Sequence, residues 1–157
     1  MENEKNIENI EDLKKEIESR LSNIIFISYF YSKLPQRPYI NEELIKLAEK
    51  LNCQLEPFQS THEGAIIDFL QKDSSREADG VLVNPGALIR FAFCFRQALV
   101  DLNKPVMEIH MSDINKTGVN KKVNVLEDIR IGQVTGLKKE SYFEGLKQLV
   151  NFINNKL

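Results

Sequence analysis

The chain has no tryptophan, two cysteines (Cys53 and Cys94) and two histidines (His62 and His110). No ligand spacing joins these residues, so a zinc or other transition-metal centre is not expected. Two isolated cysteines in apolar surroundings also exclude a disulfide scaffold. They read as small core or interface residues in a reducing cytoplasm. Neither has a histidine or basic residue beside it that would activate it. A basic excess is missing too: 21 basic against 23 acidic residues give a net charge of −2. That leaves no electrostatic footprint for nucleic acid or an anionic membrane surface. No apolar run can span a bilayer, because Arg90 and Arg96 interrupt the most apolar stretch, Ala87 to Val100. The acidic N-terminus lacks an apolar run and predicts no secretory leader, so a cytoplasmic protein is expected. No serine occupies a nucleophile elbow, and no glycine-rich loop suits a nucleotide phosphate.

What remains is a globular composition, 42% hydrophobic and 28% charged over 157 residues. That length suits one domain with a real core. Residues 3–21 are charge-dense, with Ile7, Ile10, Leu13 or Lys14, Ile17 and Leu21 marking one stripe at spacings of three and four. They read as an amphipathic helix with a narrow apolar face. It packs outside the domain or on a neighbouring subunit, or else is a partly frayed leader. An N-terminal extension, residues 1–22, thus precedes a domain of residues 23–157.

Ile24 to Ile27 is a continuous apolar run, as expected of a strand covered on both faces. Ser28 to Ile40 carries Tyr29, Tyr31, Arg37 and Tyr39, and its Pro35 and Pro38 predict a loop. Asn41 can cap a helix that turns Leu44, Leu47, Ala48 and Leu51 inward. Cys53 to Phe58 reads as a strand that Pro57 restricts to a sheet edge or a strand end. Gln59 to Gly64 leads into a short helix, Ala65 to Leu70, and Lys72 to Asp79 is a polar connection. Gly80 to Val83 is a buried strand closed by the turn Asn84-Pro85-Gly86. A helix follows, with Leu88, Phe91, Ala92, Phe95 and Leu99 on one face. Phe93 and Cys94 point elsewhere, which predicts burial on a second side, at a subunit interface. Val106 to Ile109 is the next strand, Asp113 to Lys122 a polar loop, and Ile131 to Thr135 the last strand. Ser141-x-x-Glu144 reads as a capping box opening the final helix.

Strands alternating with helices predict a parallel, three-layer α/β sandwich. The unusual polar residues all follow strands: the Tyr/Arg loop, Gln59 to Glu63, Asn84 to Arg90, and Glu108 to Ser112. They converge on one sheet edge, where such folds bind ligands. Glu108 and His110, two apart on a strand, point to one face. A carboxylate beside an imidazole suits a general acid or base. The alternative is a surface ion pair.

Three blocks resemble the signatures of type II 3-dehydroquinate dehydratase. They are Gln59-Ser60-Thr61-His62-Glu63-Gly64, Asp79-Gly80-Val81-Leu82-Val83-Asn84-Pro85-Gly86-Ala87 and Glu108-Ile109-His110-Met111-Ser112. The ungapped spacing from His110 to Gly132-Gln133-Val134 agrees as well. The resemblance implies a flavodoxin-like fold with a five-stranded parallel sheet, preceded here by the extra N-terminal helix. It also implies trimers assembled into a dodecamer. The implied reaction turns 3-dehydroquinate into 3-dehydroshikimate through an enolate, with neither cofactor nor metal. In the family a lid tyrosine takes the proton alpha to the ketone beside a lid arginine, and a histidine held by a glutamate protonates the leaving hydroxyl. His110 and Glu108 match the latter pair. Asn84 and Ser112 match substrate contacts.

The chain also departs from the family pattern. Ser28-Tyr29-Phe30-Tyr31-Ser32-Lys33 stands in place of N-G-P-N-L-N, and the segment from strand one to Gln59 is roughly ten residues short, mostly in the lid's far side and the helix after it. Arg37-Pro38-Tyr39 is either a contracted relic of the lid's R-E-P-x-x-Y or an ordinary proline turn. A substrate-contacting histidine is replaced by Arg90, an arginine by Lys121, and an intersubunit aspartate by Gln97. Arg90, Lys121 and Arg37 keep the pocket cationic, which suits a small carboxylate. The expected function is a divergent dehydratase of this type. It acts on a small cyclic polyhydroxy acid through His110, Glu108, Tyr39 and Arg37, with Asn84, Arg90, Ser112 and Lys121 as contacts. The alternative is a non-catalytic homologue serving as an oligomeric binding or scaffold protein.

Overall fold

The computed structural model describes residues 10–15, 21–29, 37–116 and 123–156, with only the backbone for residues 37 and 38. In chain order the elements are β1 (Ser22–Tyr29), α1 (Arg37–Lys50), β2 (Cys53–Ser60), α2 (Glu63–Leu70), the single turn α3 (Asp73–Arg76) and β3 (Gly80–Asn84). A 3-10 turn (Gly86–Arg90), α4 (Phe93–Leu102), β4 (Val106–His110), β5 (Gly132–Thr135) and α5 (Glu140–Lys156) complete the chain. The five strands are parallel in the order β2-β1-β3-β4-β5. This is the flavodoxin-like order. β2 lies at an edge, where Pro57 needs no ladder partner on its outer side. Of the leading helix, residues 10–15 are helical and exposed, and the rest lies outside the described residues.

Strand parity divides the core into two layers. Ile24, Phe26, Leu82, Met107, Ile109 and Val134 face α1 and α5, meeting Leu44, Ala48, Tyr142, Leu146 and Leu149. Ile25, Ile27, Val81, Val83 and Val106 face α2 and α4, meeting Ile66, Phe69, Leu70, Phe95 and Leu99. Each large side chain buried in this way contributes about 1.5–3 kcal/mol, enough to override weak local preferences.

Three local expectations are corrected by such overrides. The expected loop from Ser28 to Ile40 is narrower, because β1 runs to Tyr29 and α1 begins at Arg37. Pro38 falls in the first helical turn, where a missing N–H leaves no bond unmade. The single helix expected after Asn84-Pro85-Gly86 is two segments. The Ile89 carbonyl accepts the Val125 N–H at 2.8 Å instead of a helical one, and α4 restarts at Phe93. Leu88, Ala92, Phe95 and Leu99 are buried as expected, while Phe91 and Phe93 are 56% and 66% exposed. The capping box is not built. Ser141 lies inside the first turn of α5, and its buried hydroxyl accepts the Leu137 N–H at 3.1 Å.

Candidate active site

All five strands end at one edge, and β4 delivers two side chains there on one face. His110, its last residue, is 5% exposed, and Glu108 is 0% exposed. Nε2 of His110 lies 2.6 Å from Oε1 of Glu108. Being buried, the pair is not the surface ion pair weighed above. The same Oε1 accepts Nδ2 of Asn124 at 2.8 Å and Nε2 of Gln133 at 3.2 Å. Oε2 accepts Nη1 of Arg130 at 2.5 Å. Burial alone pushes the Glu108 carboxyl up. The hydrogen bonds of His110 and Arg130, the charge attraction of His110 and the Asn124 amide outweigh it, and hold the carboxyl at about 2. Glu108 is therefore an anion through the neutral range. It occupies Nε2 of His110, so that Nδ1 is the ring nitrogen the carboxylate does not use.

One strand over, Asn84 ends β3. Leu82, two residues earlier, belongs to the α1 and α5 layer, and Asn84 shares that face. Its Nδ2 donates to the Tyr142 hydroxyl at 2.7 Å, and its Oδ1 accepts the Gly86 N–H at 3.2 Å. Gly86 has φ of +53°, and a Cβ there would sit 3.2 Å from the Tyr29 carbonyl oxygen. The turn therefore requires glycine. Asn84 and His110 thus reach the same sheet edge from opposite faces.

Arg90 closes the 3-10 turn, and its Nη1 donates to the Val123 carbonyl at 2.7 Å. With Asn115, Asn124, Glu127, Arg130 and Gln133 it lines a hollow of about 210 Å³ beside the donors that hold Glu108. Ser112 is exposed just beyond β4. Tyr39, on the first turn of α1, is 68% exposed. The Arg37 side chain and Lys121 lie outside the described residues. Among the described residues no three His, Cys, Asp or Glu side chains are grouped to hold a metal ion.

The model of the family described as Dehydroquinase class II matches residues 30–150. The chain belongs to this family.

Among curated relatives, the 3-dehydroquinate dehydratase of Halothermothrix orenii is 39% identical over 114 residues. That alignment covers 73% of this chain and 76% of the relative. The 3-dehydroquinate dehydratase of Bacillus pumilus is 35% identical over 112 residues, or 71% and 76% of the two chains. Among solved structures, the type II dehydroquinase of Butyrivibrio crossotus superposes with a TM-score of 0.73 at 25% identity, covering 83% of this chain and 98% of that one. A 3-dehydroquinate dehydratase-like protein of Bifidobacterium longum has the same fold, with a TM-score of 0.67 at 16% identity over 85% and 99% of the two chains.

Sequence reasoning missed Arg130, Asn124 and Tyr142. Nothing local marks Tyr142, while the other two could have been found. Two signals were available. A carboxylate on a buried strand needs a countercharge, and Arg130 stands just ahead of β5, the strand paired with β4. Asn124 also uses Oδ1 to accept the Leu126 N–H at 2.9 Å, a turn signature two residues long.

Proposed function

We propose that this chain is a 3-dehydroquinate dehydratase, divergent in its base-bearing loop, that acts on a small cyclic polyhydroxy carboxylate. The buried Glu108–His110 pair at the end of β4 carries the reading, because it sets an imidazole held by a carboxylate at the sheet edge. In this reaction a base, assigned to Tyr39 and assisted by Arg37, removes the proton alpha to the ketone. The electron pair forms an enolate. His110 then protonates the hydroxyl as the enolate collapses, and water leaves. Asn84, Arg90, Ser112 and Lys121 are the substrate contacts in this scheme. A half-buried guanidinium at Arg90 is suited to a carboxylate. A trimeric or dodecameric assembly in the cytoplasm belongs to the same proposal, and exposed Phe91 and Phe93 support a partner surface on that side.

A non-catalytic, oligomeric binding role is the second reading. It is favoured by the exposed Tyr39 and by the Asn84 amide being taken up by Tyr142 and Gly86. Incubation with 3-dehydroquinate, followed by the ultraviolet absorbance of the conjugated enone product, separates the two. Turnover that falls by about 10²-fold or more in His110→Ala supports the dehydratase. Absence of turnover at high protein concentration overturns it.

A further inference from the structure

Glu108 is a fully buried carboxylate, and such a charge is tolerated only with a countercharge at hand. Two groups can supply it. His110 touches Oε1 and Arg130 touches Oε2, and a guanidinium cannot give up its proton. The remaining partners, Asn124 and Gln133, are neutral amides on Oε1. Arg130 is itself only 18% exposed in its side chain. Its own backbone is held by the Leu126 carbonyl at 3.0 Å, and the next residue, Ile131, donates to the Val106 carbonyl at 2.8 Å. The guanidinium is thus built into the base of β5 and aimed at the one oxygen that the imidazole does not use.

We propose that Arg130 is a positioning residue for the His110 acid. It pins Oε2, so that Oε1 stays on Nε2, and it supplies the countercharge of Glu108, so that the imidazole need not be charged to balance the site. The proposal deepens the dehydratase reading and rests on it for its catalytic meaning, while the charge relationship stands on the structure.

Most other charged groups around this layer are engaged elsewhere. Asp113 pairs with Lys116 at 3.5 Å, and Arg96 with Asp128 at 2.6 Å. Arg90 is bonded to the Val123 carbonyl, and Glu63 on α2 accepts the Phe95 N–H. Glu127 lines the hollow next to Arg130, and Tyr29 packs on the same core layer from β1. Arg130 is therefore the fixed cation in direct contact with Glu108 among the described residues.

With the guanidinium gone, the imidazole is the remaining group in contact with Glu108 that can carry a positive charge. The pH at which His110 charges should then rise. The chain's two histidines make this readable by NMR of the ring protons, with His62 as an internal reference. In Arg130→Gln the His110 titration should move up by about one pH unit while that of His62 stays in place. In Arg130→Lys, which keeps the charge but loses the planar fork, it should move the same way by less than half as much. If Arg130→Gln does not fold, the direction of the Arg130→Lys displacement decides. A His110 titration that stays at its wild-type position in the folded variants overturns the proposal, leaving Arg130 as a structural clasp. Turnover assays add a separate arm: the limb of the kcat profile that reports His110 should shift with the NMR curve. If the wild-type protein shows no turnover, the dehydratase reading fails, and the NMR titration still decides the role of Arg130.

Discussion

The amide nitrogen of Asn84 donates to the phenol oxygen of Tyr142 at 2.7 Å, joining the end of β3 to the first turn of α5 across 58 residues of chain. Both partners are buried, and the Tyr142 ring also meets Phe26 edge-on at 5.6 Å between centroids. The bond turns the Asn84 side chain toward the α5 layer and steadies the Asn84-Pro85-Gly86 turn from below.

Tyr142→Phe keeps the ring in its packing and removes only the hydroxyl, leaving a buried amide N–H without this acceptor. The expected loss is about 1–3 kcal/mol of stability, read as a lower urea midpoint with an unchanged slope. Asn84→Ala in addition should cost much less than the sum of the two single changes, because they share one bond.

Acid should destabilise the fold through Glu108. Its carboxyl lies at about 2 in the folded chain, against an ordinary 4.5. The stabilisation is therefore complete above the ordinary value and is lost as the pH falls from there toward 2. The size is about 3 kcal/mol for this group. Urea unfolding at a series of pH values should show the drop, and Glu108→Gln should flatten that part of the curve while lowering stability at neutral pH.

Gly145 lets α5 lie close against β4. A Cβ placed there would lie 2.5 Å from Cγ2 of Ile109 and 3.2 Å from Cδ1 of Leu82. Both are core side chains at the centre of the sheet, so neither can move far. Gly145→Ala gains helix propensity but should still cost about 1–3 kcal/mol, measured by thermal or urea unfolding. A more stable Gly145→Ala would show that α5 can slide on the sheet.

Much of the architecture was legible in local patterns. Continuous apolar runs at Ile24 to Ile27 and Gly80 to Val83, alternating with helical periodicity, are enough for a covered parallel sheet, and Pro57 marks β2 as an edge. The pairing of Glu108 with His110 was also legible, because side chains two apart on a strand share a face whatever surrounds them. The three signature blocks led to the right family for the same reason: each is a short, contiguous piece of chain.

Only the tertiary structure decided what those residues touch. Arg130, Asn124 and Gln133 come to Glu108 because β5 pairs with β4 in one register, and register is a property of two segments rather than one. Val125 breaks the helix after Asn84-Pro85-Gly86 by taking the Ile89 carbonyl from 36 residues away in sequence. Tyr142 claims the Asn84 amide because Gly145 lets α5 sit close to the sheet. The sequence by itself determined the strands, the edge at which they end and the acid pair on β4. Long-range packing decided the charge balance around that pair and the face from which each neighbour approaches, since a contact between distant segments depends on geometry that no short stretch of chain encodes.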